Sequence, residues 1–237
     1  MEANTGQHIS RQFDADIEHL RSQVMAMGGV VEEQIADAIT AFVNADFELA
    51  EKVMQRDHEV NGMEVALDEE CSRILALRQP AASDLRLIFS VLKTITDLER
   101  IGDQAERVVK PILRHGGDGV RNENFLTIRN IGTMVRQMLH DTLDAFARMD
   151  SDEALKIHAG DREIDREYEA ITRQLVTMMM EDPRNISNCL NIMFAARALE
   201  RIGDHSKNIN EYLVYQVRGK DIRHTDISVR NEALSSD

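Results

Sequence analysis

Hydrophobic residues recur every three to four positions along most of the chain, the spacing that places them on one face of an α-helix. The first such stripe consists of Ile17, Leu20, Val24, Met27, Val31, Ile35, Ala38 and Phe42. The sequence Asn44-Ala45-Asp46 interrupts it, and Asp46 is a suitable N-cap for a following helix. The pattern therefore predicts a long first helix joined to a second by a tight turn.

Similar stripes predict five more helices. The second is expected to end before Pro80, and either Ser83 or Asp84 can cap the third. Pro111 should kink or end the last turn of that third helix, because proline lacks a backbone donor. The second to sixth helices are expected at about 49–77, 83–113, 125–149, 151–181 and 186–217.

The chain contains an internal repeat. The hexapeptide LERIGD at 98–103 recurs unchanged at 199–204, an offset of 101 residues, and Ala41-Phe42 recurs as Ala145-Phe146 at an offset of 104. Each repeat holds three predicted helices joined by short connections, which favours antiparallel packing. We therefore predict an all-α fold with two tandem three-helix bundles packed side by side.

The boundary between the repeats is expected in a polar, glycine-rich stretch. This linker spans 114–124, so that the bundles occupy 1–113 and 125–217. The sequence from 218 to 237 is polar and aperiodic, and we expect this tail to be disordered.

Composition restricts the classes of function. The formal net charge of -14 disfavours nucleic acid as a partner, because phosphates would be repelled. The sequence has no apolar stretch of membrane length, so direct membrane insertion is not expected. Cys71 and Cys189 are isolated thiols within helical patterns, as in proteins of the reducing cytoplasm, which is the expected location.

Two aspartates break the apolar stripes in the same way. Asp57 lies on the seam of the second helix, and Asp161 on the seam of the fifth. An unpaired buried carboxylate is costly. Each aspartate therefore needs a cation, a hydrogen-bond network or access to solvent.

Each LERIGD motif adds two carboxylates one helical turn apart. They are Glu99 and Asp103 in the first repeat, and Glu200 and Asp204 in the second. Like charges at this spacing repel each other. The intervening Gly102 and Gly203 weaken their helices, which suggests that a neighbouring backbone or ligand approaches closely there.

The acidic positions have two interpretations. All-oxygen ligand sets suit a hard cation such as Mg²⁺, Mn²⁺, Ca²⁺ or iron better than structural zinc. Alternatively, the carboxylates form ion pairs with the basic residues one turn away, which are Arg107, Arg197 and Lys207. His205 follows Asp204 but points about 100° away around the helix, so we expect it at the rim.

The repeated LERIGD, the duplication and the length together resemble the PhoU family, the accessory regulators of the high-affinity phosphate transporter of bacteria. The resemblance covers roughly residues 10 to 217 and includes the segment Arg162-Glu163-Ile164-Asp165. It implies two three-helix bundles, often dimeric, with multinuclear metal clusters in some members.

The family's acidic motifs correspond to the carboxylates of the two LERIGD segments, so the resemblance implies Glu99, Asp103, Glu200 and Asp204 as metal ligands. The seam argument adds Asp57, Asp161 and Asp165. Asn61 stands where the second repeat has Asp165, so we expect the first site to be weaker. The metal would be Mg, Mn or Fe.

The resemblance also implies the function. It implies a non-enzymatic adaptor that contacts the transporter's ATPase subunit and a sensor histidine kinase. This adaptor would restrain phosphate uptake and the starvation response when phosphate is plentiful. A di-iron oxidoreductase is a poor alternative, because no glutamate lies three residues before any of the eight histidines. A metal phosphohydrolase has only the acidic residues and His140-Asp141 in its favour.

Overall fold

A computed structural model describes residues 5–78, 80, 82–115 and 125–223, and these ranges contain six long helices and no strand. The helices are α1 (Thr5–Asn44), α2 (Phe47–Arg78), α3 (Ala82–His115), α4 (Phe125–Arg148), α5 (Ser151–Glu181) and α6 (Ile186–Arg218). A single 3₁₀ turn, Pro183–Asn185, precedes α6. The predicted all-α fold is confirmed.

The same turn joins the first two helices of each repeat. Ala45 and Met149 adopt left-handed backbone angles, with φ of 52° and 55°. The next residue caps the following helix: Oδ1 of Asp46 accepts a hydrogen bond from the backbone N–H of Leu49, at 3.0 Å. Asp150 makes the equivalent bond at 3.0 Å. The predicted cap at Asp46 is confirmed, and the duplication extends to backbone conformation.

One prediction about α3 is wrong. The helix begins at Ala82, so Ser83 and Asp84 lie in its first turn and do not cap it. Pro111 does not end the helix, which continues to His115, and a kink at Pro111 stays a prediction. Proline costs one helical hydrogen bond, but its apolar neighbours on both sides are fully buried and keep this segment packed as helix.

The α6 helix ends at Arg218, and Gly219 provides a left-handed cap with φ of 68°. The N–H of Gly219 donates to the carbonyl oxygen of Tyr215 at 2.9 Å. Beyond it Ile222 is buried, so the first residues of the predicted tail pack against the protein. The remainder of that tail (224–237), and the linker from 116 to 124, lie outside the described residues.

The repeats pack side by side through two pairs of helices. α1 packs against α2 and α3, α4 packs against α5 and α6, and the repeats meet where α3 contacts α6 and α1 contacts α4. α3 and α6 are antiparallel: Ser90 near the start of α3 donates to the carbonyl of Tyr212 near the end of α6, at 3.3 Å. The predicted side-by-side arrangement is confirmed.

A reciprocal pair of contacts brings α1 close to α4. A Cβ at Gly28 of α1 would lie 2.7 Å from the side chain of Leu143, and a Cβ at Gly132 of α4 would lie 2.7 Å from Ile39. Both pairs are related by the repeat offset of 104 residues. The repeats are therefore related by a pseudo-two-fold axis, and the glycines allow the helices to approach.

None of the helices in the described ranges combines the length and the apolar character needed to span a bilayer.

We expect Gly132→Ala to destabilise the protein by about 1 to 3 kcal/mol, because the new methyl group would overlap the stiff, β-branched Ile39. Gly160→Ala is the matched control, because its helical position in α5 has no atom within 4 Å of the new Cβ. That control should stabilise by up to about 1 kcal/mol through helix propensity. Urea unfolding measures both, and a Gly132→Ala variant as stable as the control would contradict the close packing.

Candidate functional site

The acidic residues predicted from the sequence lie in two clusters, one between the second and third helices of each repeat. The first cluster comprises Asp57 and Asn61 of α2 with Glu99, Asp103 and Glu106 of α3. The second cluster comprises Asp161 and Asp165 of α5 with Glu200, Asp204 and Lys207 of α6. Sequence reasoning did not include Glu106, although the repeat offset aligns it with Lys207.

The mid-helix glycines bring a neighbouring helix close, as predicted. A Cβ at Gly102 would lie 3.5 Å from Oδ1 of Asp57, and a Cβ at Gly203 would lie 3.5 Å from Oδ1 of Asp161. Each seam aspartate therefore lies against the backbone of the LERIGD helix. The absence of a side chain at the glycine leaves room for the carboxylate.

Asp57 is the most constrained carboxylate of the first cluster. Asp57 is only 6% exposed, and its Oδ1 is buried without a hydrogen-bond partner. Oδ2 accepts a hydrogen bond from the Asn61 amide at 3.1 Å. Burial raises the pKa of Asp57, and the neighbouring charges of Glu106 and Asp103 raise it further. A buried acceptor oxygen without a donor is the feature that a bound cation would satisfy.

No basic side chain of the described residues forms a salt bridge with Asp57, Glu99 or Asp103. Burial and the charge of Asp103 raise the pKa of Glu99. Arg107, which the ion-pair alternative assigns to Asp103, instead donates to Oε1 of Gln104 at 3.5 Å. The first cluster is thus a group of carboxylates and an amide in which, within the described ranges, only Glu106 has a salt-bridge partner, Lys110.

The second cluster carries two cations of its own. Lys207 Nζ donates to Oδ2 of Asp161 at 2.7 Å, and Arg197 Nη1 donates to Oε1 of Glu200 at 2.5 Å. The Arg197 pair confirms part of the ion-pair alternative, but Lys207 binds Asp161 and forms no salt bridge with Asp204. Asp161 is buried on the seam and offers the lysine a desolvated partner.

Carboxylate crowding remains in the second cluster despite these cations. The other oxygen of Glu200, Oε2, is buried without a hydrogen-bond partner. Burial, followed by the charge of Asp204, raises the pKa of Glu200 to about 7. Burial and the charge of Asp161 also raise the pKa values of Asp204 and Asp165.

His205 is not at the rim, contrary to the prediction. It is 8% exposed, and its Nδ1 lies 2.7 Å from Oδ1 of Asp97 across the interface between the repeats. The side of α6 that turns away from the second cluster faces α3, so a residue 100° from Asp204 is buried. His140, by contrast, is exposed on α4 and lies 3.0 Å from Glu32 of α1.

Comparison with known proteins agrees with the duplication. A family model described as the PhoU domain matches residues 24–112 and again residues 128–213. The chain belongs to the PhoU family.

Individual family members resemble the chain over nearly its whole length. A phosphate-specific transport system accessory protein PhoU homolog of Pseudomonas putida is 52% identical over 217 residues, which cover 92% of this chain and 85% of the relative. The corresponding accessory protein PhoU of Escherichia coli K12 is 51% identical over 221 residues, 93% of this chain and 91% of the relative. The crystal structure of PhoU from Pseudomonas aeruginosa superposes with a TM-score of 0.84 at 51% identity, covering 88% of this chain and all of that one.

The PhoU resemblance implies metal, and the donor chemistry of the clusters fits a hard cation. Within the described ranges, no three or more histidine, cysteine, aspartate or glutamate side chains form a ready-made metal site. Even so, Asp57 and Glu200 each present a buried oxygen that lacks a donor, and other carboxylates surround both residues. Such oxygen ligands suit Mg²⁺, Mn²⁺ or iron. In the second cluster, a metal would have to compete with Lys207.

The raised pKa of Glu200 makes stability depend on pH. The folded state keeps Glu200 protonated up to about pH 7, whereas the ordinary pKa of a glutamate is 4.5. The stabilisation that this raised pKa contributes is therefore complete below pH 4.5. It is lost as the pH rises through 7. Without metal, we expect Glu200→Gln to be more stable than the wild type at pH 8, by about 3 kcal/mol at most, and similar to it at pH 5.

Urea unfolding in the presence of a chelator, at pH values from 5 to 8, measures this difference. Glu163→Gln changes an exposed glutamate of α5 and is the matched control, which should follow the wild type. Parallel curves for wild type and Glu200→Gln would show that Glu200 is not protonated near neutral pH.

Proposed function

We propose that this protein is a regulatory adaptor of phosphate homeostasis. It couples a high-affinity phosphate transporter to a sensor histidine kinase and restrains phosphate uptake and the starvation response when phosphate is plentiful. The observation that carries this proposal is the similarity, over more than nine tenths of the chain, to proteins named as accessory proteins of the phosphate-specific transport system.

The architecture supports a role in binding other proteins. Two related bundles are joined along α3 and α6. We infer that their helical surfaces can contact more than one partner. The clusters consist mainly of carboxylates, which suit them to bind cations. We therefore infer that the protein is a regulator and not an enzyme. We also infer that it acts in the cytoplasm as a homodimer.

We also infer that the acidic clusters bind Mg²⁺, Mn²⁺ or iron, which would neutralise the crowded carboxylates and hold neighbouring helices together. The ligands would be Glu99, Asp103 and Asp57 in the first cluster and Glu200, Asp204, Asp161 and Asp165 in the second. The missing carboxylate at Asn61 led us to expect weaker binding in the first repeat. Lys207 in the second cluster and Glu106 in the first now favour the opposite order.

The adaptor role predicts direct contacts with both partners. The purified chain should bind the isolated ATPase subunit of the phosphate transporter and the cytoplasmic part of the sensor kinase, as measured by surface plasmon resonance. Deleting its gene should raise a phosphate-starvation reporter in high-phosphate medium, and the plasmid-borne wild-type gene should restore repression. A deletion strain with unchanged reporter activity and no binding to either partner would refute the role.

The metal inference predicts that Mn²⁺ stabilises the chelator-stripped protein. A cation that binds only the folded state, at a hundredfold excess over its Kd, adds about 2.7 kcal/mol. The double substitution E99Q/D103N should reduce the rise in melting temperature more than E200Q/D204N does. Lys207→Gln should enlarge the rise, because it frees Asp161 in the second cluster.

Differential scanning fluorimetry with and without Mn²⁺ measures these changes. Each double variant should also be more stable than the wild type without metal, because repulsion is relieved. If the melting temperature does not change with Mn²⁺ and the double variants are less stable than the wild type, the carboxylates form internal ion pairs alone.

A further inference from the structure

A groove at one end of the α3–α6 pair is basic, although the chain as a whole carries a net charge of -14. Its volume is about 340 Å³, and it lies between the last turns of α3 and the first half of α6. Its basic lining residues are Arg107, Lys110, Arg114, Arg197 and Arg201, and no acidic residue lines it. We call it the basic groove.

Packing does not require this charge. At the repeat offset of 101, the residues equivalent to Arg107, Lys110 and Arg114 are Asn208, Glu211 and Tyr215. These residues lie at the opposite end of the same antiparallel pair and line neighbouring grooves there. The same backbone positions therefore accept a neutral amide, an acid and an aromatic ring. The basic side chains distinguish one end of a pseudo-symmetric structure from the other.

Part of the positive charge is available to a partner. Lys110 pairs with Glu106, and Arg197 pairs with Glu200, both at 2.5 Å. Within the described ranges, by contrast, no carboxylate lies within 4 Å of the guanidinium groups of the other three arginines of the groove. Arginine is always protonated and binds carboxylates through two parallel hydrogen bonds.

The groove also has an apolar component. Phe194 is 61% exposed, and it lines the groove beside Pro111 and Ala198. An exposed phenylalanine among arginines combines the residue types that contribute most to protein interfaces. The residue equivalent to Phe194 in the first repeat is Lys93, so the ring too is specific to this end.

We propose that the basic groove binds an acidic amphipathic helix of a partner protein. Arg107 and Arg114 are seven residues apart, about 10 Å along α3, which matches carboxylates two turns apart on a facing helix. A small anion is a poorer fit, because the groove lies away from the N-termini of α3 and α6, and the backbone N–H groups of its residues are used within the helices. The inference deepens the proposed function, on which it rests for the identity of the partners.

A synthetic peptide tests the chemistry directly. The probe is a fluorescein-labelled amphipathic helix of about 20 residues, with glutamates along one face and leucines beside them, and the reference peptide has glutamine for every glutamate. In fluorescence anisotropy at 0.15 M salt, the reference peptide should bind the full chain at least about tenfold more weakly than the acidic peptide does.

Two groove variants and two controls locate the site. The double variant R107N/R114Y, which introduces the residues of the other repeat, should weaken binding of the acidic peptide about tenfold, and Phe194→Ala should weaken it without a change in charge. The control R129Q/R136Q removes two arginines from a groove between α1 and α4, and Leu126→Ala removes an exposed apolar side chain of α4. Both controls should stay within about twofold of the wild type.

The same variants separate this inference from the adaptor role. If R107N/R114Y loses the peptide and weakens binding to the ATPase subunit or the kinase, both are supported. If the chain binds the peptide but neither protein, the adaptor role is refuted and the groove assignment stands. Unchanged peptide binding by the groove variants, or equal losses in the controls, would overturn the groove assignment. Displacement of the labelled peptide by inorganic phosphate or a single-stranded oligonucleotide, at a lower concentration than unlabelled acidic peptide requires, would also overturn it.

Discussion

The antiparallel packing of α3 against α6 places both LERIGD motifs at the centre of the molecule. Each of these helices has one side against the other repeat and another against the second helix of its own bundle. A carboxylate on the inner side therefore loses water, whereas a side chain on the outer side keeps it. The acidic clusters, the buried Asp97–His205 pair and the basic groove all follow from this division of the helix surfaces.

The duplicated backbone resolves the same electrostatic problem in two ways. Both seam aspartates lie against a glycine, and both are buried. In the second repeat Lys207 compensates Asp161 from within the chain, whereas in the first repeat the equivalent residue is Glu106 and the nearest polar partner of Asp57 is the amide of Asn61. An internal ammonium ion is always present, while an external cation can come and go. The two repeats therefore differ in whether the buried seam aspartate has a basic partner within the described part of the chain.

The features that sequence could predict are those set by local geometry. Helical periodicity located the helices because a 3.6-residue repeat depends only on near neighbours, and an acid on an apolar seam predicted the burial of Asp57 and Asp161. The partner of Lys207 and the burial of His205 depend on which helix faces which, and a single helix does not specify this. The continuation of α3 beyond Pro111 has the same origin, since tertiary packing on both sides of the proline maintains the helix.

Internal duplication makes it possible to separate folding from function without other sequences. Where both repeats need the same residue for packing, they keep it, as with Gly28 and Gly132 or Gly102 and Gly203. Where packing imposes nothing, they are free to differ, and differences that alter charge on an exposed face reflect other requirements. Arg107 and Asn208 occupy equivalent positions, but Asn208 is half-buried and donates to Asp97 at 3.4 Å, whereas Arg107 is exposed and donates to Gln104 of its own helix. The arginine is thus better explained by what binds to that end of the helix pair than by the stability of the bundle.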